Sequence, residues 1–112
     1  MPEVVVVGAF KINAGKEEEA LEAFKALVQP THDEDGCILY ALHVGTDDRS
    51  RLATIERWAS RDALDAHLAA PHIQQALAGA EELFGDSVDV VVYDAAPAGE
   101  DAKGSLAAHV GG

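Results

Sequence analysis

The first ten residues after Met1 and Pro2 are almost unbroken in their apolar character, reading "EVVVVGAFKI" over 3–12. β-Branched side chains dominate the run and Asn13–Gly15 supply turn chemistry directly after it, which predicts a strand. From Lys16 the period changes. Ala20, Leu21, Phe24, Leu27 and Val28 fall on one helical face, and Glu17–Glu19 suit the positive N-terminal end of that helix. Pro30 is expected to stop or kink it. "DEDGCILYALHVG" (33–45) reads as a turn into a second strand, "TDDRS" as a hairpin loop and "RLATIERWA" (51–59) as the returning strand. Ser60 is a fair N-cap for a helix whose broad apolar face carries Ala63, Leu64, His67 and Leu68. Pro71 interrupts this helix and suits the first position of another, 71–84, with Ile73, Ala76, Leu77, Ala80 and Phe84 inward. "DSVDVVVYDA" (86–95) is the last strand. The order β-α-β-β-α-β predicts an α+β domain over residues 1–95, one four-stranded antiparallel sheet with helices on one face. Residues 96–112 are small and rich in Gly and Ala, and read as a C-terminal tail with Leu106 as its docking handle.

The alternation carries a second message. A sheet with helices on one side only should be polar on the other. Here Val4, Val6 and Phe10 oppose Val5, Val7 and Ala9, while Cys37, Leu39 and Ala41 oppose Ile38, Tyr40, Leu42 and Val44. Val88, Val90 and Val92 likewise oppose Val91 and Tyr93. Helices cover one face; the other predicts a homodimer packed sheet to sheet.

Composition narrows the partners. The chain has 112 residues, 48% of them hydrophobic, which suits one globular domain. Its 20 acidic and 8 basic residues give a formal net charge of −12, so nucleic acid and anionic membrane surfaces are excluded as main partners. Cys37 stands alone, which leaves no internal disulfide and no cysteine-based zinc site. The longest apolar stretch, Val4–Phe10, is too short to span a bilayer, and without a basic leader the expected address is cytoplasmic.

"EDGCILYAL", "IERWASRDALDAHLAAPH" and "DVVVY" together resemble the antibiotic biosynthesis monooxygenase family, above all its small quinol monooxygenase-like members. The resemblance covers about residues 3–95. It implies a ferredoxin-like fold, dimerisation through the sheets, and oxygenation of a small phenol or quinol by O2 without flavin, haem or metal. A haem-degrading sister branch is a poorer match. Aligned on Trp58, its functional positions fall on Gly8, His67 and Leu77, and neither Gly8 nor Leu77 offers a suitable side chain.

Within that frame His67 and His72 are the expected catalytic residues, and Trp58, Tyr40, Glu56 and Leu64 the expected substrate-binding ones. His67 lies on the apolar stripe of its helix, where a core histidine is the competing reading. His72 follows Pro71 in the first turn of the next segment, where a surface residue is the alternative. Trp58 shares its parity with Leu52, Thr54 and Glu56. An inward Glu56 needs a partner, either an imidazole or Arg51 or Arg57 across a dimer. Tyr40 lines the pocket or packs at the interface. His43 reads as a strand-end residue, His32 and His109 as loop and tail residues. The two histidines span a proline break rather than one helical turn and no adjacent carboxylate completes a set, so no metal is expected, and the resemblance implies no other cofactor.

The expected chemistry starts with a proton. A phenol near pKa 10 and an imidazole near 6.5 leave a gap of roughly 3.5 units, about 5 kcal/mol, for aimed donors in a dry site to offset. His67 takes the proton, while His72 or free N–H groups beyond Pro71 steady the oxyanion. This demands a water-poor hollow beside His67. An isomerase moving a proton next to a carbonyl, and a non-catalytic dimeric ligand-binding protein, are the alternatives.

Overall fold

The computed structural model describes residues 3–85 and 87–106. The elements run β1 (Val4–Lys11), α1 (Glu17–His32), β2 (Cys37–Val44), β3 (Arg51–Trp58), α2 (Arg61–Ala69), α3 (Pro71–Ala78), α4 (Ala80–Phe84) and β4 (Val88–Tyr93). The strands pair in the order β2-β3-β1-β4, every pair antiparallel, which is the ferredoxin-like arrangement expected. No helix among the described residues is long and apolar enough to cross a membrane.

Register decides which side chains meet the helices. Val4 pairs with Trp58, Val6 with Glu56, Gly8 with Thr54 and Phe10 with Leu52. Tyr40 lies opposite Glu56 on the next strand, and Leu42 opposite Thr54. Because a strand alternates faces, these residues share the covered side. They divide into two clusters. At one end Phe10, Ile12 and Leu52 meet Ala20 and Phe24 of α1 and Phe84 of α4. At the other Val4, Val6, Tyr40 and Trp58 meet Leu64 of α2.

Gly8 sits between the two clusters. A Cβ there would lie 2.5 Å from Thr54 Oγ1 and 2.9 Å from the Phe10 ring, so only glycine fits.

Several expectations change. α1 runs through Pro30 to His32; Pro30 and Ala26, whose carbonyl loses its donor there, are both exposed, so water can replace the missing amide. His32 therefore ends a helix rather than lying in a loop, and its Nε2 is 3.0 Å from the Tyr40 carbonyl. A register shift between Cys37 and Leu39 turns Cys37 onto the covered side, against the cluster that holds Tyr40 and Trp58. The segment 71–84 is two helices, broken at Gly79, a poor helix former. Ile73 of α3 and Phe84 of α4 are buried, while Leu77, expected inward, stays 57% exposed. On α2 burial is confined to Leu64 and His67, which leaves Leu68 on an exposed flank. Leu106 is exposed too, and His109 lies outside the described residues.

The other face of the sheet carries Val5, Val7, Ile55, Leu39 and Ala41, all half-buried, with Val91 and Tyr93 exposed beside them on β4. Arg57 on this face grips Glu3 with two hydrogen bonds, Nε at 2.6 Å and Nη2 at 2.8 Å.

Candidate functional site

Pro71 shapes the site. It disfavours helical geometry in the residue before it, and Ala70 is extended, at φ −65° and ψ 144°. Ala70 thus closes α2 and opens α3 in one step, with Pro71 at the start of α3. Ser60 caps the other end of α2, its side chain accepting from the Ala63 amide at 3.1 Å. The bend swings His72 back until its ring centroid lies 6.2 Å from that of His67.

A carboxylate joins them. The residues after α1 form a turn, with the Glu34 amide donating to the Thr31 carbonyl and Gly36 at φ +85°. The turn presses against α2, where a Cβ on Gly36 would come within 2.5 Å of the Ala63 side chain. Glu34 Oε2 is 2.7 Å from His67 Nδ1 and 3.0 Å from His72 Nε2. The expectation that no carboxylate accompanies the histidines is thereby corrected: it arrives from far along the chain. The sequence offers only "DEDG" at this point, and nothing in it separates Glu34 from Asp33 and Asp35 as the residue that turns inward. Thr31 Oγ1 stands 3.4 Å from His72 Nε2, at the edge of hydrogen-bond range.

His67 is 4% exposed. Its ring leans on the Trp58 indole at 4.5 Å between centroids and on the Tyr40 phenol at 5.7 Å. An ionised Glu34 can only accept, so Nδ1 carries the ring proton and donates it, which leaves the lone pair on Nε2. Among the described residues no buried side-chain nitrogen or oxygen lacks a partner, and no protein group is bonded to Nε2. The ring's small residual exposure therefore includes Nε2.

Glu56 finds its partners within its own strand, on the covered face. It accepts from Thr54 Oγ1 at 2.8 Å and from the Trp58 indole N–H at 2.9 Å. Neither an imidazole nor an arginine across a dimer is needed, and Arg57 is engaged with Glu3. Burial, the Glu56 charge, and then Cys37 and Glu34, hold the Tyr40 hydroxyl well above the ordinary phenol range. Tyr40 is a neutral phenol wall. Cys37 is pushed up to about 11 by burial, with Glu34 and Glu56 adding to it, which makes it a poor thiolate nucleophile.

The structure thus brings His67, His72, Trp58, Tyr40, Glu56 and Leu64 to one end of the covered face and adds Glu34. Where a roomy hollow was expected, the indole and the phenol pack against the His67 ring, which is 4% exposed. A cleft of about 670 Å³ lies at the opposite end of the sheet, lined by Lys11, His43, Arg51 and Asp89 among others. His43 is exposed there, away from the other histidines.

Comparison with known proteins agrees with this architecture. The Mycobacterium tuberculosis protein Rv0793 is 34% identical over 89 residues, covering 80% of this chain and 87% of its own. Its structure superimposes with a TM-score of 0.78 over 88% of this chain and 98% of that one. SO0527 from Shewanella oneidensis, 32% identical, also gives 0.78, over 82% and 89%. The match to the Synechocystis protein sll1783, at 26% identity, covers 80% of this chain but only 61% of that longer one. The family model described as antibiotic biosynthesis monooxygenase matches residues 3–79, well over half of the chain. This chain belongs to the antibiotic biosynthesis monooxygenase family.

Proposed function

We propose that the chain is a cofactor-independent monooxygenase of small aromatic phenols or quinols, with His67 as the base. One observation carries the reading: the Nδ1–H of a nearly buried imidazole is held 2.7 Å from Glu34, so the remaining lone pair sits on an Nε2 that is not sealed off. The carboxylate fixes the tautomer and faces the charge that the ring gains when Nε2 takes a proton. Rv0793 and YcnE of Bacillus subtilis are provisionally named as monooxygenases, which supports the same class of reaction.

Deprotonation gives an anion that yields an electron to O2 far more readily than the parent phenol. One oxygen atom enters the ring as a carbonyl. The other leaves as water, with the two hydrogens that the substrate loses, so the substrate supplies all the electrons. The protein supplies position, a dry wall from Trp58, Tyr40 and Leu64, and a second imidazole, His72, on the same carboxylate. The acting species is a homodimer joined through the open faces of the sheets, where Val91 and Tyr93 are exposed.

Oxygen uptake with a reduced naphthoquinone tests the reading. His67→Ala should lower the rate by about 10²–10⁴-fold, and an unchanged rate removes His67 from the mechanism. Product formed equally well without oxygen would mean a proton shift instead. Val91→Asp should convert a dimer into a monomer in light scattering, and a monomeric wild type ends the dimer proposal.

A further inference from the structure

We propose that Glu34, His67 and His72 form a binding site for a late first-row divalent metal ion, of the Zn²⁺ or Co²⁺ kind, and that the ion switches off the base. The binding half stands on geometry alone; the switching half rests on the function proposed above.

The three ligand atoms, Glu34 Oε2, His67 Nδ1 and His72 Nε2, lie within 4.8 Å of one another. Bonds of about 2.0–2.2 Å set neighbouring ligands of a tetrahedral ion roughly 3.3 Å apart. The two nitrogen–oxygen separations, 2.7 and 3.0 Å, need to open by only about half an ångström to meet that. Both imidazoles now converge on one carboxylate oxygen, and an ion placed among the three satisfies all of them together. Two neutral imidazoles and one carboxylate suit zinc, cobalt or nickel, whereas magnesium and calcium prefer oxygen. Access comes from the outside: the side chain of His72 is 24% exposed and that of Glu34 16%. Three protein ligands leave a fourth position for water.

The site exists only in the folded chain. Its ligands come from the turn after α1, from α2 and from α3, so binding is linked to folding. Occupancy and base chemistry exclude each other at one ring. A metal on Nδ1 leaves that nitrogen without a proton, and the single ring proton moves to Nε2, the atom that has to accept the proton of the substrate.

Untagged protein, stripped with a chelator and desalted, is titrated with Co²⁺ alone and followed by its visible absorption. The expected result is one tightly bound Co²⁺ per chain and a rise in Tm with Zn²⁺. Glu34→Gln and His72→Gln should each weaken binding at least tenfold, and His43→Ala should leave it unchanged. Circular dichroism checks that the variants fold. The side chain of His72 is partly exposed, so its variant keeps the test decisive if the Glu34 variant does not fold. No cobalt band, or a band that both variants leave intact, overturns the site. Oxygen uptake is scored separately. Stoichiometric Zn²⁺ should suppress it at least tenfold; undiminished uptake at saturating Zn²⁺ overturns the switch and leaves the site standing. Binding without any uptake in the metal-free protein sinks the proposed reaction and, with it, the switch.

Discussion

The two ends of the covered face are built on the same strands and differ in kind. At one end three phenylalanines pack together, Phe10 with Phe24 at 4.8 Å and Phe24 with Phe84 at 5.8 Å edge to face, and Phe10 with Phe84 tilted at 5.5 Å. At the other an indole, a phenol, two imidazoles and two carboxylates occupy the corresponding positions. The dry end needs only volume and shape. The polar end needs a partner for each buried donor and acceptor, which restricts every side chain to one orientation. If the proposed function holds, the first end serves stability and the second chemistry, and the two should respond separately to mutation.

The largest effect tests that separation. Phe24→Ala should cost about 3–5 kcal/mol in urea unfolding, because it opens a void among rings that cannot collapse into it. Oxygen uptake per folded molecule should stay unchanged. A parallel fall in both would mean that the ends form a single unit. Next in size is the reactivity of Cys37. A thiol pushed up to about 11 by burial and two acidic neighbours should be alkylated near pH 8 roughly a hundredfold more slowly than a free cysteine. A normal alkylation rate would show that the polar end opens readily to solvent. Gly8→Ala acts on the boundary. Its Cβ meets Thr54 Oγ1 from one end and the Phe10 ring from the other, so a loss of about 1–3 kcal/mol is expected. A loss of activity beyond the unfolded fraction would show that the displaced Thr54 no longer holds Glu56 and Trp58 in place.

The fold was largely legible because its period signals are strong. Valine-rich strands, the Ser60 cap and the placement of Pro71 at a helix start all stand in the sequence and all hold. Where a single residue had to override a pattern, the sequence was less informative. Pro30 is tolerated on the exposed side of α1, the stripe read over 71–84 is divided at Gly79, and Leu77 lies on the surface. At the site, parity sets Trp58 and Glu56 on one face of their strand, whereas Tyr40, left open between pocket and interface, joins them only through the register that pairs it with Glu56. Glu34 was not legible. It lies in a turn, where no period assigns direction, and its inward aim depends on α2 closing over Gly36.

The smallest effect concerns how the polar end is held from behind. Glu3 precedes β1 and grips Arg57, the residue before Trp58, on the open face. The hydrogen bonds from Arg57 hold the Glu3 carboxyl below its ordinary 4.5, against the opposing effect of burial and with a lesser pull from the Arg57 charge. A group whose folded pKa is depressed contributes stability above its unfolded pKa and loses it as pH falls through the folded value. The side chain of Glu3 is 35% exposed, so solvent screening keeps the contribution between a few tenths and about 1 kcal/mol. Urea unfolding of wild type and Glu3→Gln should therefore differ most above pH 4.5 and converge below it. The same variant frees the chain end beside Trp58 without touching Glu56, so Phe24 and its neighbours should keep their protection from hydrogen exchange while the amides of Val4 and Trp58 lose some of theirs. Equal loss at both ends would mean that the clamp braces the whole sheet, and the contrast between a structural end and a chemical one would not extend to local stability.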